Sequence, residues 1–216
     1  MQAISGWIVF ADAHLLVLDK PAGLLCVPGR GADKQDCLSA RAQAEFPDAL
    51  VVHRLDMATS GLCVLARGMA MQKRMSAIFA DREVVKRYVA VVAGRMKPVS
   101  MEGWETIDLP IAADWPNRPR RVIDAAAGKP SVTRWRPLAF EQVTGTTRVA
   151  LEPLTGRTHQ LRVHLQAIGH PILGDSLYAP SHVVALSPRL LLHAESLHFA
   201  HPATGEPMAF NSPATF

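Results

Sequence analysis

The chain has 216 residues, 49% of them apolar, with 23 basic against 19 acidic side chains and a formal charge of +4. That balance excludes a disordered polymer and fits one large domain or two small subdomains sharing a core. The chain holds no long uncharged apolar run, and MQAISGWIVFAD lacks a basic stretch followed by an apolar segment and a cleavage site, so neither secretion nor a membrane span is expected.

In chain order, Ile8–Phe10 and Leu15–Leu18 read as two short strands, and DKPAGLLCVPG then turns the chain at Pro21 and Gly23. Asp36 is placed to cap a helix that runs through Phe46 and that Pro47 ends. Val51–Val52 and Leu62–Ala66 are apolar runs of strand length. HRLDMATSG, residues 53–61, is therefore the connection between two buried strands, where a rigid scaffold can hold chemistry. Met69–Ala80 puts Met71, Met75, Ile78 and Phe79 on one helical face, a packing stripe. Val84–Val92 alternates as a strand, with Tyr88 on the face of Lys86, Ala90 and Val92, where its hydroxyl calls for a partner.

Gly94 to Ser131 is rich in Pro and charge, and no element is assigned to it. Val132–Leu138 and Thr146–Leu151 follow as sheet strands. In LTGRTHQLRVHLQAIGHP, Thr155-Gly156 turns the chain and Thr158 is placed to cap a helix. Leu161, Leu165 and Ile168 line one face of that helix, Gly169 ends it, and Pro171 prevents its return. Arg157 sits at the turn into it. Apolar runs at Leu190–Leu192, Leu197–Ala200 and Met208–Phe210 close the sheet. Several antiparallel-looking strands with a few helices make an α+β fold.

Some chemistries fall away. His159 and His164 are five apart, which does not put them on one helical face, and neither HExxH nor a Cys pair accompanies them, so no metal is expected. Cys26, Cys37 and Cys63 are an odd number without a CxxC pair and read as buried thiols in a reducing compartment. No phosphate loop follows Gly29 and Gly31, and no serine has a convincing base. What stands out is charge. Between Trp115 and Arg136 lie Arg118, Arg120, Arg121, Lys129, Arg134 and Arg136 against the single acid Asp124. Basic groups beside large flat rings suit a phosphate backbone and unstacked bases; a solvated arginine-rich loop with core tryptophans is the alternative. Asp56, two residues after Arg54, is kept ionised by such a neighbour and can serve as nucleophile, base or electrostatic group, or merely cap a turn.

HRLDMATSG, KRYVAVVAG and LTGRTHQLRVHLQAIGHPILGDSLY follow in the order and spacing of the RluA-type pseudouridine synthases, and DKPAGLL resembles that family's opening segment. The resemblance runs from about Ile8 to Phe210. It implies a mixed, largely antiparallel sheet in two subdomains flanking a central catalytic cleft. It also implies a single catalytic domain over 1–216, without the N-terminal S4-type domain that several relatives carry. By this resemblance Asp56 is the catalytic aspartate of an enzyme that breaks the uridine N1–C1′ bond, turns the base and rejoins it through C5. Tyr88 matches the active-site tyrosine and Arg157 the arginine that pairs with the aspartate. Arg54 matches the residue that fills the space left when the uridine leaves its stack. His53, Thr59, Arg120 and Arg121 are candidate RNA contacts, and Thr59, Ser60 and Gly61 make a tight turn presenting the acid. The implied substrates are uridines in an rRNA hairpin loop, a tRNA anticodon stem-loop, or both. No cofactor, metal or membrane is implied, and the protein is expected to work in the cytoplasm as a monomer. An RNA-binding or RNA-folding protein on the same scaffold is the rival reading. A hydrolase lacks the second carboxylate or metal ligands its chemistry asks for.

Overall fold

The structure, a computed structural model, describes residues 3–97 and 103–216. Strands β1 (Ile8–Ala11) and β2 (Leu15–Lys20) form a hairpin, and the Asp12 carboxylate closes its turn by accepting the N–H groups of His14 and Leu15, each at 2.7 Å. Helix α1 (Leu38–Glu45), strands β3 (Ala49–Val51) and β4 (Ser60–Arg67) and helix α2 (Met69–Ala80) follow. Next come β5 (Val85–Ala93), β6 (Glu105–Asp108), β7 (Ile111–Ala113), β8 (Arg121–Ile123), β9 (Val132–Glu141) and β10 (Thr146–Pro153). Helices α3 (Gln160–Ala167) and α4 (Ser181–Val184) lead to β11 (Leu192–Ala200) and β12 (Pro207–Asn211). The pairs β1–β2, β2–β4, β3–β4, β5–β10, β6–β9, β7–β8, β9–β10 and β11–β12 run antiparallel, and the mixed α+β class holds.

The chain divides into two compact units, Met1–Lys86 with Ala194–Thr215, and Arg87–His193 with Phe216. In the first, β1, β2, β4, β11 and β12 lie in that order, and β3 pairs with β4. Leu15 and Val17 of β2, Leu62 and Val64 of β4 and Phe199 of β11 form one core with Met71 and Met75 of α2. The intervening Leu16, Leu18, Cys63 and Leu65 are just as buried. Both faces of β2 and β4 are covered, which is why they read as continuous apolar runs rather than as alternation. In the second unit, β5, β10, β9 and β6 are neighbours in that order and β7–β8 is a separate hairpin. Ile111 of β7 packs there with Val163 of α3 and with Tyr178.

Helix α2 has the bounds its apolar stripe predicts. Three expectations need correction. The N-cap of α1 is Cys37, whose Sγ accepts the Ala40 N–H at 3.5 Å; Asp36 instead pairs bidentately with Arg41 inside the helix, at 2.6 Å for each contact. The N-cap of α3 is His159 in the left-handed region (φ 57°), not Thr158. Leu190–Leu192 is not a strand of its own but runs into β11. The stretch left unassigned holds β6, β7 and β8, each of three or four residues, while residues 98–102 lie outside the described part. Among the described residues no helix is long and apolar enough to cross a membrane.

Candidate active site

The loop between β3 and β4 carries Asp56. Its turn ends where the predicted one begins: the Thr59 N–H donates to the Asp56 carbonyl at 3.1 Å, closing a turn around Met57 and Ala58. Gly61 is not part of that turn. It lies within β4 at φ +108°, where a Cβ would stand 2.3 Å from the carbonyl oxygen of Ala194. A glycine is needed there because the backbone of β11 approaches too closely for any side chain.

Both chain neighbours of Asp56 are pinned from below. The Leu55 N–H donates to the Sγ of Cys26 at 3.2 Å. On the other side, the Met57 carbonyl accepts from the ammonium of Lys20 at 3.1 Å, and the same Nζ donates to the carbonyls of Pro21 and Leu24, each at 2.8 Å. Lys20 is fully buried at the end of β2. Burial pushes its pKa down, opposed by the nearby Cys26, Cys63 and Asp56. Cys26 and Cys63 are free and buried, as read from the sequence. The Cys26 thiol is lowered to about 7, first by its hydrogen bond with Cys63, then by the Leu55 N–H and the charges of Lys20 and Arg54. Lys20 was missed in the sequence. Its signal is a lysine that follows the apolar run Leu15–Leu18 and Asp19, just before a Pro-Ala-Gly turn.

The other loop residues split by exposure. Arg54 is exposed and Asp56 half-buried. Thr59 is buried at 2% exposure. His53 is occupied by the protein itself: its Nε2 accepts the Val64 N–H at 2.9 Å and its ring stacks on Phe79, with centroids 4.4 Å apart and planes 22° off parallel. An accepting Nε2 leaves the proton on Nδ1 and the imidazole neutral. Burial, with the charge of Lys86 second, lowers its pKa to about 3. Since the folded value lies below the ordinary 6.5, the stabilisation is complete above pH 6.5 and is lost as pH falls toward 3. At pH 5 the loss is about 2 kcal/mol. Thermal melts from pH 7 to pH 5 should show it, and His53→Gln should flatten that part of the profile; an equally steep fall in the variant would exonerate His53.

The second unit carries the remaining candidates. Tyr88 is half-buried on β5, in register with Leu151 of β10. Arg157 is exposed, and its Nε donates to the Pro130 carbonyl at 3.3 Å. The deeply held arginine of that segment is Arg162, which sequence reasoning passed over. At 4% exposure it grips Asp175 bidentately, Nε to Oδ2 at 2.8 Å and Nη2 to Oδ1 at 2.6 Å, and Asp175 is itself oriented by the N–H groups of Leu177 and Tyr178. Arg120 is exposed and stands over the Tyr178 ring, whereas Arg121 and Arg157 line one pocket. The tryptophans that flank the basic cluster part company: Trp135 is buried in β9, and Trp115 is 68% exposed. His159 and His164 go separate ways, the first to the Tyr178 hydroxyl at 2.7 Å, the second to Thr133 Oγ1 and the Leu109 carbonyl, each at 2.9 Å.

Comparison with known proteins gives one consistent result. The chain is 47% identical over 209 residues to the dual-specificity RNA pseudouridine synthase RluA of Escherichia coli K12, an alignment covering 97% of this chain and 93% of that protein. It is 44% identical to the protein of the same name from Haemophilus influenzae, with the same coverage. Among solved structures it is similar to human RNA pseudouridylate synthase domain containing 1, with a TM-score of 0.76 and 30% identity over 96% of this chain and 82% of that one. Human RNA pseudouridylate synthase domain containing 4 gives a TM-score of 0.74 and 27% identity, covering 98% and 89%. Residues 14–167, which take in the Asp56 loop, β5 with Tyr88 and the whole of α3, match the family described as RNA pseudouridylate synthase, and it is to this family that the chain belongs.

Proposed function

We propose that the protein converts specific uridines in the loops of structured RNA to pseudouridine, with Asp56 as the catalytic carboxylate. The reaction is an isomerisation: the N1–C1′ bond breaks, the base turns, a C5–C1′ bond forms, the C5 proton leaves and N1 takes one up. No redox step or group donor is required, so the protein is proposed to work without a cofactor, as a cytoplasmic monomer. Asp56 either attacks C1′ or removes a sugar proton. Both roles need an ionised, accurately held oxygen.

The observation that carries this reading is the clamped loop. With Leu55 fixed through Cys26 and Met57 through Lys20, the Asp56 side chain is presented from an anchored backbone. Tyr88 is proposed to take the C5 proton and to pack on the base. Arg54 fills the gap when the uridine is extruded, a step that costs a few kcal/mol. The relatives named as dual-specificity enzymes support an rRNA loop and a tRNA anticodon stem-loop as the substrates to try first. The test is release of tritium from RNA carrying [5-³H]uridine, using purified protein and transcribed stem-loops. Release in proportion to pseudouridine is expected, and no release from any rRNA or tRNA loop would refute the proposal.

Arg157 is proposed to pair with the catalytic aspartate, the role the resemblance gives it, while Arg162 spends its fork on Asp175. Arg157→Ala should lower kcat in protein that is still folded by circular dichroism. An unchanged kcat, with weaker RNA binding and a salt slope flatter by roughly 0.7 to 0.9, would make Arg157 a phosphate contact instead.

A further inference from the structure

The second unit contains a pocket of about 600 Å³ whose lining includes neither Asp56 nor Tyr88. It opens beside the β7–β8 hairpin, with Trp115, Arg121, Asp124, Lys129 and Arg157 around it. Its size suits one nucleotide.

Three features ask for a ligand. The first is Trp115. An indole 68% exposed is unusual for a residue that could be buried, and this one is held in place. The guanidinium of Arg118 stacks 3.6 Å from its ring centroid. The loop that bears it is tied by the N–H groups of Asp114, Asn117 and Arg120 to the carbonyls of Arg120, Asp114 and Asn117, and the Asn117 amide donates to both oxygens of Asp114. The second is Arg121. Its Nε is buried and has no hydrogen-bond partner among the described residues, a donor that a phosphate oxygen would satisfy. Its backbone N–H, by contrast, is satisfied by the Tyr178 hydroxyl at 2.8 Å, which fixes where the side chain begins. The third is the charge balance. Asp124 is the single acid in the lining, and its Oδ1 is engaged by the N–H groups of Ala126 and Ala127, each at 2.9 Å. Arg121, Lys129 and Arg157 therefore dominate the field inside.

We propose that this pocket binds a second nucleotide of the RNA, outside the catalytic position, with its base laid on Trp115 and its phosphate held by Arg121 and flanked by Lys129 and Arg157. The proposal rests on the RNA reading above and extends it: recognition would require the loop to unstack at two places. A flat exposed ring beside three cations fits a base joined to a phosphate.

The test uses Asp56→Asn protein, so that RNA is bound and not converted, and an anticodon stem-loop with 2-aminopurine replacing each loop base in turn. One loop position should change fluorescence on binding in a way that Trp115→Ala abolishes and Trp115→Phe restores. Trp115→Ala should weaken binding about tenfold or more. Arg121→Gln should lower both affinity and the salt slope. Unchanged affinity and unchanged fluorescence at every loop position in Trp115→Ala would overturn the pocket. If native protein makes no pseudouridine yet these binding effects appear, the enzymatic reading fails and the pocket stands. If it does make pseudouridine and Trp115→Ala behaves as native, the pocket fails alone.

Discussion

Asp56→Asn is expected to lower pseudouridine formation by about a thousandfold or more and to leave RNA binding intact. The substitution is nearly isosteric, and it leaves in place the backbone contacts of Leu55 and Met57 that hold the loop. The scaffold should persist while the charge disappears. A neutral amide neither attacks C1′ as a carboxylate does nor accepts a sugar proton, so both versions of the chemistry stop. Single-turnover tritium release, read beside a filter-binding isotherm on the same RNA, separates the two properties. A variant that converts as fast as the native protein would remove Asp56 from the reaction. Native protein that binds but never releases tritium would favour an RNA-folding role.

Gly61→Ala should be the most damaging single methyl group in the first unit. The new Cβ would meet three backbone atoms of Ala194, at 2.3, 2.6 and 2.8 Å, and backbone paired in a sheet has nowhere to go. The positive φ of +108° adds conformational strain to the clash. Together these amount to about 3 to 5 kcal/mol, a large share of the roughly 5 to 15 kcal/mol that holds a domain of this kind together. A melting temperature many degrees lower, or insoluble protein, is the expected outcome. Gly205→Ala is the control for a positive-φ glycine with open space around it, and it should cost far less. Equal melting of the two variants would mean that β11 does not press on β4 as described.

What was legible in the sequence follows from how each element buries itself. Helix α2 was readable because only one face is covered: Met71 and Met75 are buried, Lys73 and Arg74 exposed, and the period appears in the letters. Helix α3 misled for the opposite reason. Gln160 through Leu165 are all buried, so reading it as amphipathic pointed away from Arg162, whose charge is buried against Asp175. Strands β6, β7 and β8 gave too little pattern to read. Ile107 and Ile111 are the buried anchors of β6 and β7; β6 is defined by its distant partner β9, and β7 by a three-residue pairing with β8. The motif around Asp56 stood out in the letters, but its supports did not. Cys26 and Lys20 lie about thirty residues upstream, and only the fold brings them under the loop.

The first unit is assembled from both ends of the chain, whereas the second is nearly one uninterrupted stretch. A ribosome releasing this protein makes the Asp56 loop early, long before the Ala194 backbone that lies against Gly61. The middle of the polypeptide can therefore mature first, as a contiguous block, while β4 waits with an open edge for β11. The Asp56 loop is thus among the last parts to gain its full support, although it is encoded in the first third of the message. A chain broken off before β11 would keep the whole HRLDMATSG motif and lack the strand that completes its support.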